Sequence, residues 1–87
     1  MNTYKRDTIV TGYFVIIEHL KNSRLGNPRL KCLLIAPSGA KYLCCTKPNS
    51  ALAYGLHYFD KRQVTVKLGQ YRGRTSIFDI QSGEVNL

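Results

Sequence analysis

Two short stretches hold the residues best suited to chemistry. Residues 21–31 read KNSRLGNPRLK, four cations with no carboxylate around a Gly-Asn-Pro turn. Residues 69–74 read GQYRGR, two arginines and a tyrosine set among glycines. Arginine pairs phosphate oxygens through its planar fork and stacks its face on bases. A tyrosine ring can take a base for about 1–3 kcal/mol with little demand on sequence. Arg24, Arg29, Lys31, Arg72 and Arg74 are therefore candidate phosphate contacts, and Tyr71 is a candidate stacking platform. The competing reading is that both stretches are solvated turns and that the tyrosine packs or caps.

Other chemistries find little support. Cys32, Cys44, Cys45, His19 and His57 show no metal-ligand spacing such as C-x2-C. No acid–base pair or activated nucleophile stands out, so neither an enzyme nor a cofactor is expected. Cys44 and Cys45 are adjacent and would face opposite sides of a strand, and three cysteines cannot all pair within the chain. Reduced, buried thiols in a cytoplasmic protein are the expectation.

Charge sharpens the first reading. The chain carries 13 Lys plus Arg against 5 Asp plus Glu, a net charge of +8 in 87 residues. Between His19 and Phe78 there are eleven cations and one acid, Asp60. A field of that sign attracts nucleic acid or an anionic membrane surface. No apolar run approaches the roughly 18 residues of a membrane span, and the interrupted apolar start, without a small-residue cleavage site, does not read as a signal peptide.

These residues need elements to position them. Residues 8–20 (TIVTGYFVIIEHL) are rich in β-branched and aromatic side chains and read as a long strand, with Gly12 marking a bulge or bend. RLKCLLIA (29–36), KYLCCT (41–46), QVTVKL (63–68) and RTSIFDI (74–80) read as four more strands. Asn49 or Ser50 caps one helical turn over residues 51–54, which Gly55 ends. The chain is one domain (1–87), with a barrel over 8–80 and loose termini at 1–7 and 81–87. The order of three strands, short helix and two strands predicts an all-β chain with one short helix, a five-stranded OB-fold-like barrel.

Pairing the second and third strands about Ser38-Gly39 sets Ala36 opposite Lys41, Ile35 opposite Tyr42 and Lys31 opposite Thr46. The outer face then holds Arg29, Lys31, Leu33, Ile35, Tyr42, Cys44 and Thr46, adding Tyr42 to the stacking candidates. Leu30, Cys32, Leu34, Leu43 and Cys45 face inward, and a slip of one residue would exchange the faces of one strand. Tyr13, Phe14, Tyr54, Phe59 and Phe78 are expected in the core. In an OB-fold the loops after the first and fourth strands flank this outer face. Here those are the two cationic stretches. Leu33 and Ile35 on the same face are alternatively a homodimer surface.

S-R-L-G-N-P (Ser23 to Pro28), A-Y-G-L (Ala53 to Leu56) and VTVKLGQYRGRTSIFDI near the end carry a resemblance. In these features and in length the chain resembles the small single-stranded-DNA-binding proteins of filamentous phages, OB-like barrels that work as dimers. The resemblance implies Arg24 in phosphate contact and Tyr71 or its neighbours in a mobile DNA-wrapping loop. That family places an aromatic directly after its G-x-P, where this chain has Arg29. The G-N-P-R and A-Y-G pattern also looks like that of small phage and plasmid proteins.

The expectation is a nucleic-acid-binding protein that prefers single-stranded DNA and comes from a mobile genetic element. The alternative is an interaction module or inhibitor acting on an acidic surface of a host or conjugation protein.

Overall fold

The computed structural model describes residues 8–82. Five strands, β1 (Thr8–Leu20), β2 (Arg29–Ile35), β3 (Lys41–Thr46), β4 (Arg62–Tyr71) and β5 (Arg74–Ser82), close into a barrel in the order β1-β2-β3-β5-β4. All neighbours are antiparallel except β3 and β5, which run parallel. This is an all-β, OB-fold-like barrel. Among the described residues no helix is long and apolar enough to cross a membrane. The expected loose termini at 1–7 and 83–87 lie outside the described residues. Gln81 and Ser82 belong to β5.

Closure depends on β1 serving two partners. Its first half pairs with β4 (Thr8 to Phe14) and its second half with β2 (Tyr13 to Leu20). Gly12 sits at the changeover. A Cβ there would lie 2.4 Å from the carbonyl oxygen of Ile35, so the two strands meet backbone to backbone only because the side chain is missing. The bulge itself falls later, between Ile16 and Glu18. Asp60 Oδ1 accepts the Ile16 N–H at 2.8 Å and so satisfies a donor at this irregularity.

The alternating strands fill the interior with Phe14, Cys32, Leu34, Cys44, Val64, Val66 and Ile77, all essentially inaccessible. Leu56 plugs the core from the connection between β3 and β4. That connection is not an α-helical turn but two successive 3₁₀ turns, Ala51–Tyr54 and Leu56–Phe59. Ser50 Oγ accepts from Leu52 N–H as its cap. A single turn of four residues is too short to nucleate an α-helix, and the 3₁₀ form closes one hydrogen bond sooner. Of the aromatics expected inside, Phe14 is fully buried and Phe59 packs against the core. Tyr13 and Tyr54 stand outside at 43% and 58% exposure.

The β2–β3 hairpin corrects the expected register by one residue. Leu33 pairs with Leu43, Cys32 with Cys44 and Lys31 with Cys45. The cause is the turn. Gly39 adopts φ +94°, its N–H donates to the Ala36 carbonyl, and the Ala36 N–H donates to the Ala40 carbonyl. A three-residue loop with a left-handed glycine results, one residue shorter than the expected connection. The faces of β3 therefore exchange. Tyr42, Cys44 and Thr46 turn inward, while Leu43 and Cys45 turn outward. The faces of β2 stand as expected.

The β4–β5 hairpin is also tighter than its sequence suggests. Gly69 is buried within β4 rather than starting a turn. The reversal is the two-residue Arg72-Gly73 turn, both residues at positive φ (53° and 79°), which matches the twist of the flanking strands.

Replacing Gly12 with alanine drives a Cβ into the Ile35 carbonyl and should cost about 2–3 kcal/mol. A thermal melt followed by circular dichroism should show Tm falling by about 10 °C or more. An unchanged Tm would mean that β1 and β2 do not approach this closely.

Candidate functional site

The β1–β2 loop, the segment after β3 and the β4–β5 hairpin enclose an open cleft of about 840 Å³. Five cations line it: Lys21, Arg24, Arg29, Arg72 and Arg74. Among the described residues no carboxylate does. Its remaining walls are Asn22, Ser23, Cys45, Thr46, Pro48, Asn49, Tyr71 and Ser76. Like charges gathered around a concave surface focus their field into it.

Of the seven residues singled out from sequence, Arg24, Arg29, Tyr71, Arg72 and Arg74 line this one cleft. Lys31 lies just beyond it on the outer face of β2, opposite Cys45. Tyr42 is not among them. The register set by Gly39 turns its ring inward, where it packs against the core, so it offers no platform beside Lys31.

Arg29 has a distinctive position. The side chain is half-buried where β2 begins, and its Nε is buried with no hydrogen-bond acceptor among the described residues. A buried charged-group donor without a partner costs about 1–3 kcal/mol. An anion entering the cleft would satisfy it.

Tyr71 is half-buried, with Arg72 Cζ 5.4 Å and Lys47 Nζ 5.9 Å from its ring centroid. Lys47 also lies 4.1 Å from the centroid of Phe78. The aromatic rings thus hold cations at the cleft's edge through their negative faces. No local pattern in the sequence marks Lys47 for this place. Its contact with Phe78 joins β5 to the residue that follows β3, a proximity that only barrel closure creates.

A clasp of uncharged groups, absent from the sequence expectations, shapes one wall. Asn27 Nδ2 donates to Asn49 Oδ1 at 2.9 Å, and the Ser23 hydroxyl donates to the same oxygen. Ser23 Oγ accepts from Asn27 N–H, and Asn27 Oδ1 accepts from the hydroxyl of Tyr54. Asn49 adopts φ +62°, a left-handed conformation asparagine tolerates better than most residues. These bonds tie the β1–β2 loop to the segment after β3. The local signal was an S-x-x-x-N pattern (Ser23 to Asn27) typical of a side-chain-capped turn. Its partner Asn49 lies 22 residues from Asn27, beyond any local pattern.

The histidines sit elsewhere, in a smaller groove of about 300 Å³ with Ile16, Glu18 and Asp60. Among the described residues no group of three His, Cys, Asp or Glu side chains could hold a metal ion.

The thiols divide by exposure. Cys32 and Cys44 are buried, whereas Cys45 is half-buried and lines the cleft. Burial, reinforced by the Cys45 charge, pushes the Cys44 thiol up to about 12. Burial, with Cys44, Cys45 and Asp60 adding to it, raises Cys32 further. Reaction needs the thiolate, so at pH 8 a thiol reagent should label Cys45 alone in the folded protein and all three cysteines once unfolded. Mass spectrometry of the labelled protein checks this, and rapid native labelling of Cys44 would contradict the assigned register. Folding keeps both buried thiols protonated. Their contribution to stability is therefore full below the ordinary value of 9.0 and is lost as pH rises from there through about 12.

Comparison of the chain with protein-family models, with curated proteins and with solved structures finds no match.

Proposed function

We propose that this protein binds nucleic acid, single-stranded DNA in preference to duplex, by holding backbone phosphates in the cationic cleft. The observation that carries this reading is that, among the described residues, five cations and no carboxylate line the cleft, one of them an arginine whose buried Nε lacks an acceptor. Phosphates supply acceptors in the geometry a guanidinium fork matches. Binding them releases counterions from the nucleic acid, a sequence-independent driving force. Tyr71 and the flat guanidinium faces favour a strand whose bases are free to stack. The likeness of the Ser23–Pro28 loop and the 69–74 hairpin to the filamentous-phage binders supports the same reading, together with an origin on a phage or plasmid.

The alternative, an acidic protein surface as partner, fits the cleft less well. Protein interfaces centre on a desolvated apolar patch with charge at the rim. Here the cations line the cleft itself rather than rimming an apolar patch, with Asn22, Ser23, Asn49, Thr46 and Ser76 among its other residues.

Fluorescence anisotropy with labelled oligo-dT, with duplex DNA alongside and over a series of salt concentrations, tests the proposal. Affinity should fall log-linearly with salt and favour the single strand. Arg29→Gln and Arg72→Asn should each flatten the slope by about one. The second replacement turns Arg72-Gly73 into the Asn-Gly pair such turns prefer, so the hairpin survives. Absence of binding at low salt, or slopes unmoved by either variant, would overturn the reading.

A further inference from the structure

The outer face of β1, β2 and β3 carries an apolar patch that begins where the cleft ends. Opposed residues share a face. Val15 pairs with Leu33 and Leu33 with Leu43 in one row, and Tyr13 pairs with Ile35 in the next. Leu43 is 52% exposed and Tyr13 is 43% exposed, while Val15, Leu33 and Ile35 are half-buried. Two residues nearer the cleft lies the row of Lys31 and Cys45, and Cys45 lines the cleft itself. At the far end Lys41 stands exposed, opposite Ile35. From Lys31 to Ile35 the strand covers about 13 Å. Glu18, paired with Lys31 on the β1 side, is the carboxylate nearest this row.

Resting on the nucleic-acid reading above, we infer that this patch takes unpaired bases of the strand whose phosphates occupy the cleft. The order along the face is cationic cleft, Lys31, apolar patch, Lys41. It offers a cation for the backbone at each end and an uncharged surface between them for the faces of bases. Leu33 and Leu43 form its centre. Aliphatic side chains cover a base face by excluding water and set no hydrogen-bond demand on its edge, so the contact tolerates any base. A paired duplex keeps those faces stacked and has nothing to offer the patch. An anionic ligand without bases would fill the cleft and leave the patch uncovered.

The chain has no tryptophan, so Leu43→Trp introduces a single indole at the patch centre. This variant should be titrated with oligo-dT and with an abasic oligonucleotide of the same length and phosphate number. Both should bind with the same salt slope, but only oligo-dT should quench the indole. Leu43→Ser, at an exposed position that leaves the core intact, should weaken oligo-dT about tenfold and leave the abasic strand unchanged. Oligo-dT binding that neither quenches the indole nor weakens in Leu43→Ser would overturn the inference while leaving the cleft's phosphate grip standing. A dimer in sedimentation velocity that Leu43→Ser dissociates would also overturn it, assigning the patch to a second copy. No binding of either oligonucleotide would remove the nucleic-acid reading, and the inference with it.

Discussion

The molecule depends most on the short parallel contact between β3 and β5. Only two residue pairs make it, Cys45 with Ser76 and Thr46 with Ile77. The same residues anchor the surroundings. Thr46 Oγ1 accepts the Leu30 N–H at 3.0 Å, Ile77 lies fully in the core, and Cys45, Thr46 and Ser76 all line the cleft. Without this contact the sheet would be an open ribbon, and the two cationic stretches would sit on unconnected loops. Closing the barrel converts two turns nearly 50 residues apart in sequence into the walls of one cleft.

Bringing five cations together raises the folded state's electrostatic energy, because like charges repel across a low-dielectric surface. Carboxylates could relieve that cost but would cancel the field at the place where a ligand needs it. Instead the walls are held by neutral groups. Ser23, Asn27, Asn49 and Tyr54 tie the loop down with hydrogen bonds, and the Tyr71 and Phe78 rings hold Lys47 and Arg72 through their quadrupoles. Neither device adds negative charge. The walls are therefore tied down without cancelling the field of the cations, and under the proposed function this reduces the ordering cost of binding.

Much of this was legible in the chain itself. Strand order followed from β-branched runs and turn residues, and the two arginine-rich stretches identified five of the cleft's residues. What escaped depended on single backbone conformations or on distant partners. Gly39's left-handed φ shortened one loop by a residue and turned Tyr42 from an outer-face platform into a partly buried side chain packed against the core. Gly69 looked like punctuation but lies buried in a strand. Asn49 and Lys47 gained their roles from residues more than 20 positions away, which no local pattern encodes. The outer patch shows the same dependence, since Leu43 reaches it only in the register that Gly39 imposes.

The central claim is that the cleft enclosed by barrel closure is where a phosphate backbone binds. The most direct measurement is an amide chemical-shift titration of the isotope-labelled protein with oligo-dT. The account predicts that the largest shifts cluster at residues 21–29, 45–49 and 71–76, lying on three separate segments that meet only in the closed barrel. Shifts concentrated instead on the β1–β4 side around Ile9, Thr11 and Thr65, with the cleft amides unmoved, would contradict it.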